Sequence, residues 1–136
     1  MQMFGASIYL SKRILVADLL AALQRQAPAL VTPSVQATIE QTPSASFPFV
    51  IELDGLAKPI NRWQSLYRVV QHISAVHRLT AAVEYQHREQ PDNPYYSLLF
   101  DHGDIALGDD SQWEQTGQIT IIAAHFELPP PENTDP

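Results

Sequence analysis

The chain has no cysteine among its 136 residues, so disulfides, thiolate metal sites and thiol nucleophiles are excluded. No apolar run reaches the eighteen or more residues that a membrane-spanning helix needs. No basic leader with a small-residue cleavage pattern is visible, and the mature form is expected to start near Met1. With only 5 glycines, the chain shows neither a glycine-rich phosphate loop nor a nucleotide fingerprint. Lysine and arginine number 8 against 15 acids, a net charge of -7 that argues against binding nucleic acid through the whole surface. The bases are also unevenly placed: residues 1–89 carry all eight against six acids, whereas 90–136 carry nine acids and no Lys or Arg.

What is present suffices for one core. A hydrophobic fraction of 45% in 136 residues fits one domain over residues 1–128, and residues 129–136 read as a disordered, proline-rich acidic tail. The 11 prolines are more punctuation than a helical bundle tolerates. Ile14, Leu15, Leu19, Ala22 and Leu23 recur at helical spacing, which predicts a helix from Ser11, as its cap, to Gln26, stopped by Pro28. Lys12 and Arg13 then fall in the first turn, where they oppose the helix dipole. Val35, Ala37 and Ile39 alternate with polar residues as in a short edge strand. Phe49, Ile51 and Leu53 share the face of a stronger one, ended by a turn at Asp54-Gly55, and Leu56 to Trp63 reads as a loop.

Residues 64–87 admit two readings. Val69, Ile73, Val76, Thr80 and Val83 would form a helical stripe, yet Tyr67 to Leu79 also alternates as a strand would. Enrichment in Val, Ile and Tyr favours a long strand from Tyr67 that bends near Thr80. Gln86 to Pro94 reads as a polar turn, Tyr95 to Phe100 as a short strand or turn, and Asp101 to Asp104 and Gly108 to Asp110 as turns. Gln118 to Glu127 is largely apolar on both faces, which fits a central strand covered by the helix on one side, or one whose second face meets another subunit. The fold class expected is α+β, an N-terminal amphipathic helix on an antiparallel or mixed sheet.

The chemistry-bearing residues form no recognisable catalytic set. His72, His77, His87, His102 and His125 show no metal-ligand spacing. Asp101, Asp104, Asp109, Asp110 and Glu114 could hold a hard cation, or act as the paired carboxylates of a small metal-assisted hydrolase, but they do not match the calcium-loop pattern and sit in turns that stay wet. Neither enzyme activity, cofactor nor metal is therefore expected. Trp63 and Trp113 read as core or interface residues, because aromatic rings combine large apolar area with a polar edge.

The order of segments resembles the tail terminator proteins of long-tailed bacteriophages, in particular the tail proteins typified by phage Mu. The stretches that carry the resemblance are Ile14 to Leu23, the strand Phe47 to Leu53, and Gly108 to Glu114 followed by Ile119 to Phe126. The family implies a small α+β domain assembled as a homohexameric ring in the virion, at the tail or neck, and put together in the host cytoplasm. Such a ring caps the tail tube protein, meets a head-tail connector or neck protein, and lets double-stranded DNA pass without sequence-specific binding or any membrane. Another neck or tail-completion protein of the virion is the alternative reading. The family also places a second amphipathic helix between the middle and last strands, where this sequence offers only Tyr67 to His87. Trp63, Trp113 and the five acids from Asp101 to Glu114 become interface or lumen candidates.

Overall fold

The computed structural model describes residues 2–86 and 96–128. The acidic tail, and the polar turn beyond Gln86, lie outside the described residues. In chain order the elements are β1 (Met3–Leu10), α1 (Val16–Gln26), β2 (Gln36–Gln41), β3 (Phe49–Ala57), α2 (Arg62–Val76), β4 (Thr80–Glu84), β5 (Tyr96–Asp101), β6 (Asp104–Asp109), α3 (Trp113–Thr116) and β7 (Thr120–Ala123). The strands form one seven-stranded sheet in the order β2-β3-β1-β4-β5-β6-β7, with every neighbouring pair antiparallel. The first six elements, β1-α1-β2-β3-α2-β4, with strand order β2-β3-β1-β4, make the split β-α-β arrangement of ferredoxin-like domains. The α+β class and the packing of helices on an antiparallel sheet are therefore as expected.

The N-terminal element is a strand and not a helix. Phe4, Ala6, Ile8 and Leu10 alternate with Gly5, Ser7 and Tyr9, and Ile8 and Leu10 are buried on the helix side. Ser11 does not cap α1. Its N–H donates to the Thr80 carbonyl at 2.9 Å and its Oγ accepts the Thr80 N–H at 2.9 Å, which prolongs the pairing of β1 with β4. The helix begins five residues later, with Leu15 at its cap position and Asp18 rather than Lys12 or Arg13 in its first turn, the favourable sign for the dipole. Leu19, Ala22 and Leu23 are its buried stripe, as their spacing predicts.

The preferred strand over 67–80 is overturned: residues 62–76 form α2. Leu66, Tyr67, Val69, Val70, Ile73 and Ser74 are buried at helical spacing, a broad stripe against the sheet, and this burial outweighs the β propensity of the valines. The helical stripe read from sequence is itself corrected, since Val76 is 60% exposed while Thr80 and Val83 belong to β4. Asp54-Gly55 is not a turn but part of β3. Between the pairs Phe4–Leu56 and Ala6–Leu53, β3 holds two residues opposite the single Gly5, a β-bulge with Gly55 at φ 78°. The bulge resets the alternation so that Leu53 and Leu56 both turn into the core.

The C-terminal strand is not central either. β7 spans only Thr120–Ala123 at the sheet's edge, and Ile121 and Ile122 are exposed. Phe49, Ile51 and Leu53 do pack under the helices, but Ile119 lies in a smaller cluster on the opposite face, with Phe47, Ala82, Leu99, Tyr9 and Trp113. The sheet is thus covered by α1 and α2 on one face, and on the other by little more than Phe47 and α3. That second face carries the site described next.

Candidate functional site

β1 lies between β3 and β4, which brings Glu52 and Glu84 to either side of Ser7 and Tyr9 on the face away from the helices. Alternation sends Ile8 and Leu10 to the core and leaves Ser7 and Tyr9 outward. The result is an open cleft of about 710 Å³, walled by α3 on one side and by Trp63 near its other end. Five carboxylates line it, those of Glu52, Asp54, Glu84, Asp110 and Glu114, and among the described residues no Lys, Arg or His does so.

Two serines fix two of these acids. The Ser7 hydroxyl donates to Glu52 Oε2 at 2.6 Å across the β1–β3 pair, and the buried Ser97 hydroxyl donates to Asp110 Oδ2 at 2.6 Å. Short O–H···O⁻ bonds of this kind hold a carboxylate in place without neutralising it. Tyr9 lies in the field of both acids, and burial first, then Glu52 and Asp110, push its phenol above the ordinary value. The phenol therefore stays protonated at neutral pH. The cleft is a negative, acceptor-rich surface with aromatic rings set into it, suited to cationic groups.

The sequence candidates do not gather at one place. Asp101 and Asp104 face each other at one end of the β5–β6 hairpin, whereas Asp109 and Asp110 lie at the other, about 17 Å away along the strand. Of the five acids only Asp110 and Glu114 reach the cleft, where Trp63 and Trp113 join them. Among the described residues, no group of three His, Asp or Glu side chains is placed to hold a metal ion. The hairpin turn is the tight type with both central residues at positive φ, His102 at 51° and Gly103 at 97°. α2 holds it: Ser74 Oγ accepts the Gly103 N–H at 2.9 Å and Gln71 Nε2 donates to the Gly103 carbonyl at 2.8 Å. Trp113 is half-buried, 4.9 Å from the Tyr9 ring and 6.0 Å from Phe47, and Trp63 packs 5.0 Å from Phe4 and 6.2 Å from Tyr67. Sequence reading missed Tyr9, Glu52 and Glu84; the alternation of β1 and the outward positions flanking Ile51 and Val83 are the signals that could have found them.

Asp101 offers a direct electrostatic test. The hydrogen bond from His102, followed by that from Thr80 at 3.0 Å, holds its carboxyl below the usual range. A depressed folded-state value contributes stability above the unfolded value of about 3.9, and the contribution is lost as pH falls through the lower folded value. In an NMR pH titration, His102→Ala is expected to move the Asp101 midpoint upward while the fold is kept; an unmoved midpoint would reject the His102 hydrogen bond as the main cause.

No helix among the described residues is long and apolar enough to cross a membrane. Comparison with known proteins adds no assignment: no family model matches the chain, no curated protein matches it, and no solved structure matches it.

Proposed function

We propose that this chain is a structural subunit that assembles with copies of itself into a ring, of the kind that ends a phage tail tube and joins it to the head or neck. The observation that carries this reading is the β7 edge, which no described element covers and which offers a surface to the tube or neck protein that the ring adjoins. β7 is the outermost strand, contains neither charge nor proline, and leaves Ile121 58% and Ile122 49% exposed. Solitary edge strands are ordinarily guarded by charge, proline or a covering element, and adjacent large apolar residues on an unguarded edge mark a surface that another chain covers. Support also comes from α2, which stands between the middle and last strands where the tail-terminator pattern has its second amphipathic helix.

A chain of this length has a radius of gyration of about 14 Å, so one copy cannot surround a DNA duplex, whereas a closed cyclic assembly can. In this reading the partners are further copies, six in the tail-terminator form, with the tail tube protein on one side and a connector or neck protein on the other. DNA passes through without sequence-specific contact, and the site is the virion tail or neck, assembled in the host cytoplasm. The reading assigns no catalytic step and no cofactor.

Electron microscopy of the purified protein, alone and with the tail tube protein of the same genome, tests it. Rings seated on tube ends are expected. Ile121→Lys with Ile122→Lys is expected to abolish that seating while leaving the circular dichroism spectrum unchanged, because both side chains are exposed in the monomer. Tubes that never carry the protein at their ends would overturn the proposal; rings elsewhere in the neck would move it to another completion protein.

A further inference from the structure

Charge in this molecule is sorted by layer. Lys12 and Arg13 lead into α1 and Arg25 lies on it; Lys58 leads into α2, Arg62 and Arg68 lie on it, and Arg78 follows it. These are all the Lys and Arg of the described residues, and the only acid on either helix is Asp18. The opposite face has the five carboxylates of the cleft and, among the described residues, no base lining it. Among the described residues no Lys or Arg is ion-paired with a carboxylate. The two surfaces also differ in shape, a cleft on one side and a pair of helices on the other. Each carries apolar area within its charge: Tyr9 and Trp113 in the cleft, Leu15 at 67% and Val76 at 60% exposure beside the helices.

We infer that the acidic sheet face of one copy docks on the basic helix layer of the next. The inference rests on the ring reading above and names the contact within that ring. A head-to-tail contact between two different surfaces of the same chain repeats identically from copy to copy and closes into a ring when the rotation permits. The sheet edges, β2 and β7, then lie outside the copy-to-copy contact, and Ile121 and Ile122 stay available to the neighbouring protein. Long-range attraction between the layers sets the orientation of encounter and weakens as salt rises.

The test uses the full chain and two pairs of exposed side chains, Glu84 with Glu114 and Arg25 with Arg68. Sedimentation at low and high salt is expected to show the parent chain associated at low salt and shifted toward monomer at high salt. Glu84→Arg with Glu114→Arg takes the cleft's five carboxylates from -5 to -1 and sets two arginines against the basic layer, and Arg25→Glu with Arg68→Glu takes the seven bases and Asp18 of the helix layer from +6 to +2 and sets two carboxylates against the acidic face. Each double variant alone is expected to associate more weakly than the parent at low salt, with an unchanged circular dichroism spectrum. An equimolar mixture of the two is expected to reassociate, because alternating copies restore opposite charge at every contact. Neutral Glu84→Gln with Glu114→Gln should weaken association less than the reversal does. Assemblies that ignore both reversals would overturn this contact and leave the ring standing. A parent chain monomeric at both salts overturns this contact, whereas the ring itself stands or falls on the tube ends. A monomer whose Trp113 fluorescence responds only to an added arginine-rich peptide overturns the second copy as occupant.

Discussion

Phe100→Ala is expected to destabilise the chain by about 3–5 kcal/mol, the range for removing a fully enclosed aromatic ring. Phe100 is 0% exposed and sits in the middle of the sheet, paired with Ala81 on β4 and Ile105 on β6. Its ring packs 6.4 Å from that of Tyr67, which is itself fixed, since the Tyr67 hydroxyl donates to the Glu84 carbonyl at 3.1 Å and accepts the Gln86 N–H at 2.8 Å. Neighbours held in this way cannot collapse into the space the ring leaves, so the cavity cost adds to the lost transfer energy. Urea denaturation should show a lower midpoint with an unchanged slope. A loss below about 1 kcal/mol would mean that β5 is not central to the core.

The same ring pair bears on what the sequence could reveal. α1 was legible because Leu19, Ala22 and Leu23 have one period and one covered face. β3 was legible from Phe49, Ile51 and Leu53, but its continuation was not: Asp54-Gly55 has the chemistry of a turn, and only the partner strand shows that the left-handed glycine makes a bulge. In α2, Tyr67, Val69 and Ile73 satisfy two periods at once. The decision falls to tertiary packing, because Leu66, Val70 and Ser74 are buried too, which a half-covered strand would not arrange. β1 carried a plain period of two, Phe4, Ala6, Ile8 and Leu10, that went unread beside the stronger helical signal after it.

The cleft was less legible for a topological reason. Glu52 and Glu84 come together only because β1, the first strand, is inserted between β3 and β4. Local spacing contains no trace of that insertion. The aspartates crowded together in sequence are instead divided, because Asp101 and Asp104 close one end of a hairpin whose other end carries Asp109. A charge cluster in the chain therefore became two sites in space, while acids scattered along the chain became one. The charge imbalance between the two parts of the chain was a blunt form of the layer sorting, since it missed that Glu52, Asp54 and Glu84 belong with the acids of the C-terminal part.

Gly55→Ala is the second large effect expected, and it concerns the strand that frames both the cleft and the β2 edge. Gly55 sits at φ 78°, where an L side chain costs about 1–2 kcal/mol. An added Cβ would also lie 2.4 Å from the Ser34 carbonyl oxygen and 2.8 Å from its carbon, both backbone atoms that cannot rotate away. The segment that would have to move is tied down, since Thr32 Oγ1 donates to the Gly55 carbonyl at 2.6 Å and accepts the Ser34 N–H at 3.0 Å. Strain and displacement together should cost about 3 kcal/mol, visible as a lower denaturation midpoint. Hydrogen exchange should quicken in β2, whose pairing with β3 ends at Gln36 and Asp54, next to the bulge. Gly55→Asn separates the two causes: asparagine tolerates the left-handed region better than alanine but carries the same Cβ. It should therefore recover only the backbone part of the loss. An asparagine variant as stable as the parent would show that Ser34 yields freely and that the bulge, rather than the close approach of β2's leading turn, is what demands glycine.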